Sequence, residues 1–276
     1  MIRPIAIVFM AGILVGFLVG LSFFHLPLAA INKPKAVSAT SISEARAVLG
    51  DRNIDVPILV YHIVRPAYPS DSAMVRAAAV TPEVFDTQMK YLQSNGYHVI
   101  PFSALVNYFT NGSPLPSRPV IINFDDAWED QYVYALPILE KYHNTATFFV
   151  PTNWIGSKSS FLTWAQLHQM LALGMAVGSH SRSHIPLADV TDPGVLVSEV
   201  QDSKHILEKE LGTTTNEFAY PYGSFSSTTI AAVDAAGYKA ARTEIFGRYQ
   251  LTSNIFALRA INAPTTTAQF EKIFPK

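Results

Sequence analysis

Two adjacent carboxylates, Asp125 and Asp126, follow an apolar run in the segment VIINFDDAWED, residues 120–130. Two ionised carboxylates side by side repel one another, and a nearby cation relieves that repulsion. Such a pair at the end of a buried strand therefore indicates a site where carboxylates do chemistry, and a bound divalent metal is a cation that would allow both to stay ionised.

A second polar cluster, GSHSRSH, follows the apolar run at residues 175–178 and contains His180 and His184, four residues apart. That spacing puts two imidazoles on one face of a helical turn, and a tight loop can also bring them together. Two neutral imidazoles and one carboxylate make a three-ligand site with open positions, which suits Zn²⁺ or another divalent metal. A third cluster, FAYPYGSFS at residues 218–226, is typical of a rigid turn carrying an aromatic wall.

Strands and helices alternate along the chain after Val56. The predicted strands are Val56–Val64, Tyr97–Ile100, Val120–Phe124, Thr145–Val150, Met175–Gly178, Glu217–Tyr220, Tyr238–Thr243 and Phe256–Ile261. Helices are predicted to follow caps at Thr81, Ser103 and Thr163, and to cover Trp128–Tyr142, Gly194–Leu211 and Ser226–Ala236. This alternation predicts a parallel α/β architecture, either a barrel or an open doubly wound sheet. In both, functional residues gather where the strands end.

Composition excludes several classes of function. The net charge is −1 and only 15% of the 276 residues are charged, so nucleic acid is not an expected partner. The chain has no cysteine, which excludes disulfides and thiolate chemistry.

The N-terminus predicts contact with a membrane. Residues 5–24 carry no charge and are long enough to span a bilayer, which favours an uncleaved anchor over a removed signal peptide. We therefore expect a membrane anchor or signal segment at residues 1–31, a linker at 32–55 and an extracytoplasmic catalytic domain at 56–276. Gly12, Gly16 and Gly20 recur every fourth residue, a pattern of close helix pairing and a candidate homodimer contact, although glycine is common in membrane helices.

In their order along the chain, NFDDAWED, HSRSH, AYPYG and FALRAIN resemble the polysaccharide deacetylase family, also called the NodB-homology or carbohydrate esterase family 4 domain. The opening VPILVYHIV and the form AYPYG are most similar to the branch that acts on poly-N-acetylglucosamine. The resemblance implies a distorted (β/α) barrel with a metal at its mouth. It also implies hydrolysis of N-acetyl groups on an extracytoplasmic polysaccharide.

The resemblance also assigns roles to residues of this chain. Asp125 would be the general base, and Asp126 would bind the metal, most simply Zn²⁺, with His180 and His184. A metal in this position lowers the pKa of bound water and polarises the acetyl carbonyl. The chain departs from the family at two positions: many members have arginine where this chain has Ala219, and many have histidine where it has Ala260.

His62 is the candidate for the missing acid. It lies in LVYHIV, near the end of the first strand, and the first and last strands of a closed barrel are neighbours. A histidine buried below the site, with no acid role, is an equally good interpretation of the sequence. For sugar binding, the aromatic residues Tyr222 and Trp154, together with Pro221 in the same turn as Tyr222, are the candidates.

Two other functions fit the same residues. A non-catalytic carbohydrate-binding relic would explain Ala219 and Ala260. An iron oxygenase with two histidines and one carboxylate shares the ligand types, but such sites are usually built on antiparallel sandwiches, and an oxygenase leaves Asp125 without a role.

Overall fold

Twelve strands and nine helices build the part of the chain that the computed structural model describes, Ala47 and residues 49–276. The strands are β1 (Asn53–Asp55), β2 (Ile58–Tyr61), β3 (Ile63–Val64), β4 (Ala79–Val80), β5 (His98–Val99), β6 (Pro119–Phe124), β7 (Thr147–Val150), β8 (Ala176–Ser179), β9 (Glu217–Ala219), β10 (Ala240–Phe246), β11 (Tyr249–Leu251) and β12 (Leu258–Asn262). The α-helices are α1 (Ala73–Ala78), α2 (Pro82–Ser94), α3 (Phe102–Asn111), α4 (Leu136–Lys141), α5 (Trp164–Ala172), α6 (Pro193–Val197), α7 (Ser203–Leu211), α8 (Ser227–Ala235) and α9 (Thr267–Ile273).

Seven parallel strands close into a ring in the order β2-β12-β10-β9-β8-β7-β6, and β5 adds to the outside edge of β6. The ring is closed by β2 and β6, whose register runs from Ile58 opposite Ile121 to Tyr61 opposite Phe124. The last strand lies beside the first, with Ile261 opposite Leu59. The (β/α) barrel expected from the resemblance is therefore confirmed for this part of the chain, and the open sheet is excluded.

Alternation along β6 divides its side chains between two apolar layers. Val120, Ile122 and Phe124 belong to the layer that also includes helix residues such as Phe85 and Leu139, and Phe124 stacks on Phe148 with ring centroids 4.7 Å apart. The opposite face carries Ile121, which clusters with other side chains of the barrel interior, and Asn123. Because both faces are covered, these strands read as continuous apolar runs in the sequence.

Two of the three predicted caps are confirmed. The Thr81 side chain accepts from the Val84 N–H, and Thr163 forms a capping box. Ser226, predicted as the first residue of its helix, is instead the cap of α8 and also forms a capping box. The prediction at Ser103 was wrong, because helix α3 begins one residue earlier at Phe102, after Pro101. A proline there fixes the backbone direction without needing a side-chain cap.

Two predicted long helices are interrupted by π-turns. The segment predicted as Trp128–Tyr142 contains a π-turn at Gln131–Ala135 before α4, and the segment predicted as Gly194–Leu211 contains one at Ser198–Asp202 between α6 and α7. An inserted residue of this kind shifts the face that later side chains present, and π-turns are frequent at functional sites.

The N-terminal predictions lie largely outside the described residues. These are the apolar run at 5–24, the segment 1–31, the glycine pattern and most of the linker 32–55. Residues 53–55 form strand β1, which pairs with β11, so regular structure begins before Val56. Among the described residues, no helix combines the length and hydrophobicity needed to cross a membrane.

Candidate active site

The carboxyl ends of β2, β6 and β8 bring the predicted site residues together. Asp125 and Asp126 directly follow β6, His180 follows β8 and His62 follows β2. The Asp125 N–H donates to the Tyr61 carbonyl, which continues the pairing between β6 and β2. Asp126 then turns into the left-handed region with φ of 72°, and this turn lets the two adjacent side chains diverge.

Asp126, His180 and His184 converge on one point. The Asp126 Oδ1 atom lies 3.1 Å from His184 Nε2 and 3.6 Å from His180 Nε2. Ligand atoms held ~2.1 Å from a tetrahedral metal stand roughly 3.4 Å apart, so this spacing fits a shared divalent ion such as Zn²⁺. The predicted ligand group is thus brought together by the fold.

The protonation of His180 supports the same interpretation. Its Nδ1 lies 2.7 Å from the Ala219 carbonyl oxygen, which can only accept, so Nδ1 carries the proton and Nε2 presents a lone pair. Metal-binding histidines commonly have this second hydrogen bond, which fixes the ring and its tautomer. Meanwhile Asp126 Oδ1 is buried and accepts no hydrogen bond among the described residues. A lone pair and an unsatisfied carboxylate oxygen facing one another suit a cation between them.

Burial and neighbouring charges keep both groups in the states that bind metal. Burial lowers the pKa of His180 to about 4, although Asp125 and Asp126 oppose the shift, so the ring is neutral at pH 7. Burial raises the pKa of Asp126, but the contact with His184 and the nearby His180 outweigh it and lower the value to about 2. A neutral imidazole and an ionised carboxylate are the forms that act as ligands.

Asp125 is fully buried and is held by Arg242. The Arg242 Nη2 atom donates to both carboxylate oxygens, at 2.5 Å to Oδ1. Arg242 is itself fully buried, and its guanidinium lies 5.4 Å from the centroid of the Phe149 ring. The arginine therefore provides a positive charge beside the buried carboxylate, and it fixes the direction of that carboxylate.

Arg242 also accounts for the departure at Ala219. The two residues are direct partners in the parallel register of β9 and β10, and Ala219 is fully buried. Many family members carry a guanidinium at the position of Ala219 on β9. In this chain the neighbouring strand β10 carries it, at Arg242. The orientation of Asp125 is thus provided for despite the alanine.

We expect Arg242→Met to destabilise the protein by about 3–5 kcal/mol, because removing one partner leaves the other charge buried and unpaired. Urea unfolding would measure the loss. Adding Asp125→Asn should recover part of it, giving a coupling of about 1 kcal/mol or more between the two positions. Adding Ala219→Arg instead should also recover stability, since its side chain starts from the same level of the barrel. Additive effects in both double variants would contradict the assigned pairing.

His62 is a second neighbour of the Asp125 carboxylate. Its Nε2 is 3.9 Å from Asp125 Oδ2, and its side chain is 26% exposed, so the ring can reach both the carboxylate and a bound molecule. The buried Gln131 fixes this pair: its amide donates to the His62 carbonyl at 2.8 Å and to the Asp125 carbonyl at 2.6 Å. The π-turn that starts at Gln131 thus connects the ends of β2 and β6.

The second π-turn supports the histidine loop. Glu199 accepts hydrogen bonds from the backbone N–H groups of Arg182 and Ser183, at 3.1 and 2.9 Å, and from the Ser183 hydroxyl at 2.5 Å. His184, at the end of this loop, has φ of 61°. A buried carboxylate therefore holds the loop in the conformation that brings His184 back towards His180.

A cavity of about 290 Å³ opens above these groups and is called the catalytic cavity below. Its walls are polar, aromatic and apolar, formed by His62, Asp126, His180, His184 and Glu244, by Trp128 and Tyr222, and by Ile63, Met74, Val75 and Ala78. The last three belong to α1.

The residues predicted to bind substrate occupy different positions. Tyr222 lines the catalytic cavity, is 62% exposed and packs edge-on against His184 with 4.6 Å between centroids. Pro221 is buried in the turn that presents Tyr222. The Trp154 ring packs on the His184 ring with 4.7 Å between centroids and on the Phe161 ring with 5.0 Å. Its observed contacts therefore help to position His184, a candidate metal ligand, and its contact with substrate remains a prediction.

Four residues at the site were not predicted from the sequence: Gln131, Glu199, Arg242 and Glu244. The Glu244 carboxylate, the Asp125 carboxylate and the His62 ring each place one atom within 4.8 Å of the others. Of the four, Arg242 carried a signal, because it lies within the predicted strand Tyr238–Thr243, and an arginine buried in a barrel strand needs a partner.

Comparison with known proteins agrees with this geometry. Residues 112–241 match the polysaccharide deacetylase family. The putative polysaccharide deacetylase YxkH of Bacillus subtilis is 29% identical over 206 residues, 75% of this chain and 70% of that protein. The poly-beta-1,6-N-acetyl-D-glucosamine N-deacetylase of Staphylococcus epidermidis is 29% identical over 227 residues, 72% of this chain and 78% of that protein.

Among solved structures, the Streptococcus pyogenes deacetylase PplD in complex with acetate is similar, with a TM-score of 0.73 and 29% identity over 78% of this chain and 94% of that one. IcaB from Ammonifex degensii shares the fold, with a TM-score of 0.68. Together with a closed parallel barrel whose strand ends carry the aspartate pair and the two histidines, these matches identify a polysaccharide deacetylase domain of the NodB or carbohydrate esterase 4 type at residues 112–241 of this chain.

Proposed function

We propose that this chain is a metal-dependent N-deacetylase that removes acetyl groups from an extracytoplasmic polysaccharide containing N-acetylglucosamine. The observation that carries the proposal is the arrangement of Asp126, His180 and His184 directly beside an Asp125 that is held by Arg242 and faces His62. Amide hydrolysis by water needs an activated carbonyl, a base and an acid, and this arrangement offers candidates for all three.

A divalent metal bound by Asp126, His180 and His184 would polarise the acetyl carbonyl and make water more acidic. Asp125 accepts the proton of the attacking water, and its hydrogen bonds from Arg242 fix its direction. His62, whose Nε2 lies 3.9 Å from the same carboxylate, protonates the departing amine. Backbone N–H groups near Tyr222 are the candidates to stabilise the negative charge that develops on the acetyl oxygen.

The substrate class rests on two lines of support. The Staphylococcus epidermidis relative is named for poly-beta-1,6-N-acetyl-D-glucosamine, and it aligns with most of this chain. The catalytic cavity has aromatic walls at Trp128 and Tyr222, which suit the apolar faces of sugar rings. The apolar run at residues 5–24 supports an extracytoplasmic location for the domain.

The alternatives are less compatible with this geometry. A non-catalytic relic was suggested by Ala219 and Ala260, yet Arg242 supplies the guanidinium and His62 offers an acid. An iron oxygenase leaves the buried Asp125–Arg242 pair without a purpose, and the parallel barrel differs from the sandwich on which such sites are usually built.

The test is release of acetate from N-acetylglucosamine oligomers by the purified full-length protein. We expect one free amine per acetate, loss of activity with a chelator, and recovery when Zn²⁺ is added. Oligomers with β-1,6 and β-1,4 linkages, tested with peptidoglycan, would define the glycan. No acetate from any of them, with metal bound and the fold intact, would favour the binding relic; activity that needs a 2-oxoacid would favour the oxygenase.

A further inference from the structure

A second cavity of about 290 Å³ lies directly beside the catalytic cavity, and Trp128 forms part of the wall of both. Trp128 is held firmly in this position. Its Nε1 lies 3.3 Å from Asp126 Oδ2, its backbone pairs with Phe161, and the two rings are 5.0 Å apart. A polymer with one unit in the catalytic cavity therefore has a fixed aromatic surface over which the chain can pass into the second cavity.

The lining of the second cavity combines aromatic rings with carboxylates. Tyr68 and Tyr134 join Trp128 as aromatic walls, and Glu129 and Asp130 supply the negative charge. Sugar rings pack on aromatic faces while their polar groups bond to charged side chains, so this combination suits a sugar unit. The cavity between Glu140 and Met175, at the opposite end of the barrel where the strands begin, has no aromatic wall.

The charge of the second cavity is negative although Arg65 also lines it. Arg65 is occupied by Asp71, with Nη2 and Nη1 at 2.7 and 3.1 Å from the two carboxylate oxygens, and it lies 4.3 Å from the Tyr68 ring centroid. Glu129 has no cationic partner among residues 49–276. Asp130 accepts one bond, from the Val64 N–H at 3.1 Å, and the nearby Arg65 charge offsets part of its own, so Glu129 carries the larger uncompensated charge. Burial raises the pKa of Asp130 to about 6, which leaves it mostly ionised at pH 7. A cation on the bound sugar would therefore be stabilised here.

We propose that the second cavity binds a glucosamine unit, with its amine protonated, of the same polysaccharide whose N-acetylglucosamine unit occupies the catalytic cavity. This inference rests on the proposed function, because removal of an acetyl group is the step that creates such an amine. A neutral N-acetylated unit fits the aromatic walls equally well but gains nothing from Glu129 and Asp130. The cavity would thus favour chains that are already partly deacetylated, and new deacetylation would occur beside earlier sites.

The experiment measures binding rather than turnover, so its outcome is independent of whether acetate is released. Calorimetry on the full-length protein would compare β-1,6-linked glucosamine oligomers with β-1,6-linked glucose oligomers, which carry a hydroxyl in place of the amine and no acetyl group. At pH 7 and low salt we expect glucosamine oligomers to bind about tenfold more tightly, the size of one charge-assisted hydrogen bond. Added salt should reduce this preference.

Glu129→Gln keeps the shape of the second cavity and removes its charge, so the preference should fall towards equality, and Asp130→Asn should act in the same direction. Glu140→Gln, in the cavity at the other end of the barrel, is the matched control and should leave the preference unchanged. Equal binding of the two oligomers by the unmodified protein would overturn the proposal. So would a preference that survives in Glu129→Gln and disappears in Glu244→Gln, because the amine would then be bound in the catalytic cavity.

Discussion

Asp126→Ala, His180→Ala and His184→Ala should each lose both bound metal and deacetylase activity. The ion would be held by three ligand atoms only: Asp126 Oδ1, which lies 3.1 Å from His184 Nε2 and 3.6 Å from His180 Nε2. Because a catalytic metal site of this kind needs all three protein ligands, the loss of one should release the metal. The metal content of the purified protein, measured by elemental mass spectrometry, checks this directly. Activity is expected to fall to the rate seen in the presence of a chelator.

Asp125→Asn should impair deacetylation without impairing metal binding. The amide cannot accept the proton of the attacking water, so we expect the rate to fall by about 10²–10⁴-fold, the usual contribution of a general base, while the metal stays bound. His205→Ala, which changes an exposed histidine of α7, is the control for the histidine variants. Thermal unfolding of each variant distinguishes a local effect from loss of the fold. Full metal occupancy in His180→Ala would contradict the ligand assignment, and loss of metal in a folded Asp125→Asn would contradict the division of roles.

The barrel itself could be predicted only in part from the sequence. Buried apolar runs alternating with capped helices are local signals, and they located the main strands and helices to within a few residues. Ring closure depends on pairing between β2 and β6, about 60 residues apart, and periodicity within one strand does not encode its partner. The resemblance to a family, rather than the pattern, selected a barrel over an open sheet.

The site residues, too, could be predicted only in part from the sequence. Asp125, Asp126, His180 and His184 were predictable because each follows a strand, and parallel strands end at one edge. Arg242 was missed because it lies inside the barrel rather than at that edge, 117 residues from the carboxylate that it holds. Its position becomes understandable once the register puts it opposite Ala219. The departure at Ala219 was visible in the sequence, but the compensation was visible only in three dimensions.

Gln131 and Glu199 were missed for another physical reason. Both lie at π-turns, where one extra residue rotates the helix and directs a polar side chain towards the site. The sequence of such a turn resembles that of an ordinary helix, because the cost of the inserted residue is offset by tertiary hydrogen bonds rather than by local preference. The predicted helix Trp128–Tyr142 was therefore a reasonable interpretation of a segment that the site itself deforms.

The second large effect is expected on removal of His62, the proposed general acid. An amide expels a poor leaving group, so the amine must gain a proton as it departs, whereas a phenol leaves readily without one. His62→Ala should therefore slow cleavage of an N-acetylated sugar by about 10²–10⁴-fold while an acetate ester of a phenol keeps most of its rate. The geometry supports this role: the ring lines the catalytic cavity, and atoms of Asp125 and Glu244 lie within 4.8 Å of it, so a protonated imidazole has two carboxylates beside it.

The comparison of two leaving groups also tests whether His62 has a merely structural role. A histidine that only supported Asp125 would slow both substrates equally, since both reactions need the base. The matched control is His168→Ala, an exposed histidine on α5, which should change neither rate. Metal content must remain that of the unmodified protein. Equal losses on amide and ester, with metal bound, would mean that His62 positions the base and that the proton for the amine comes from another group of the catalytic cavity.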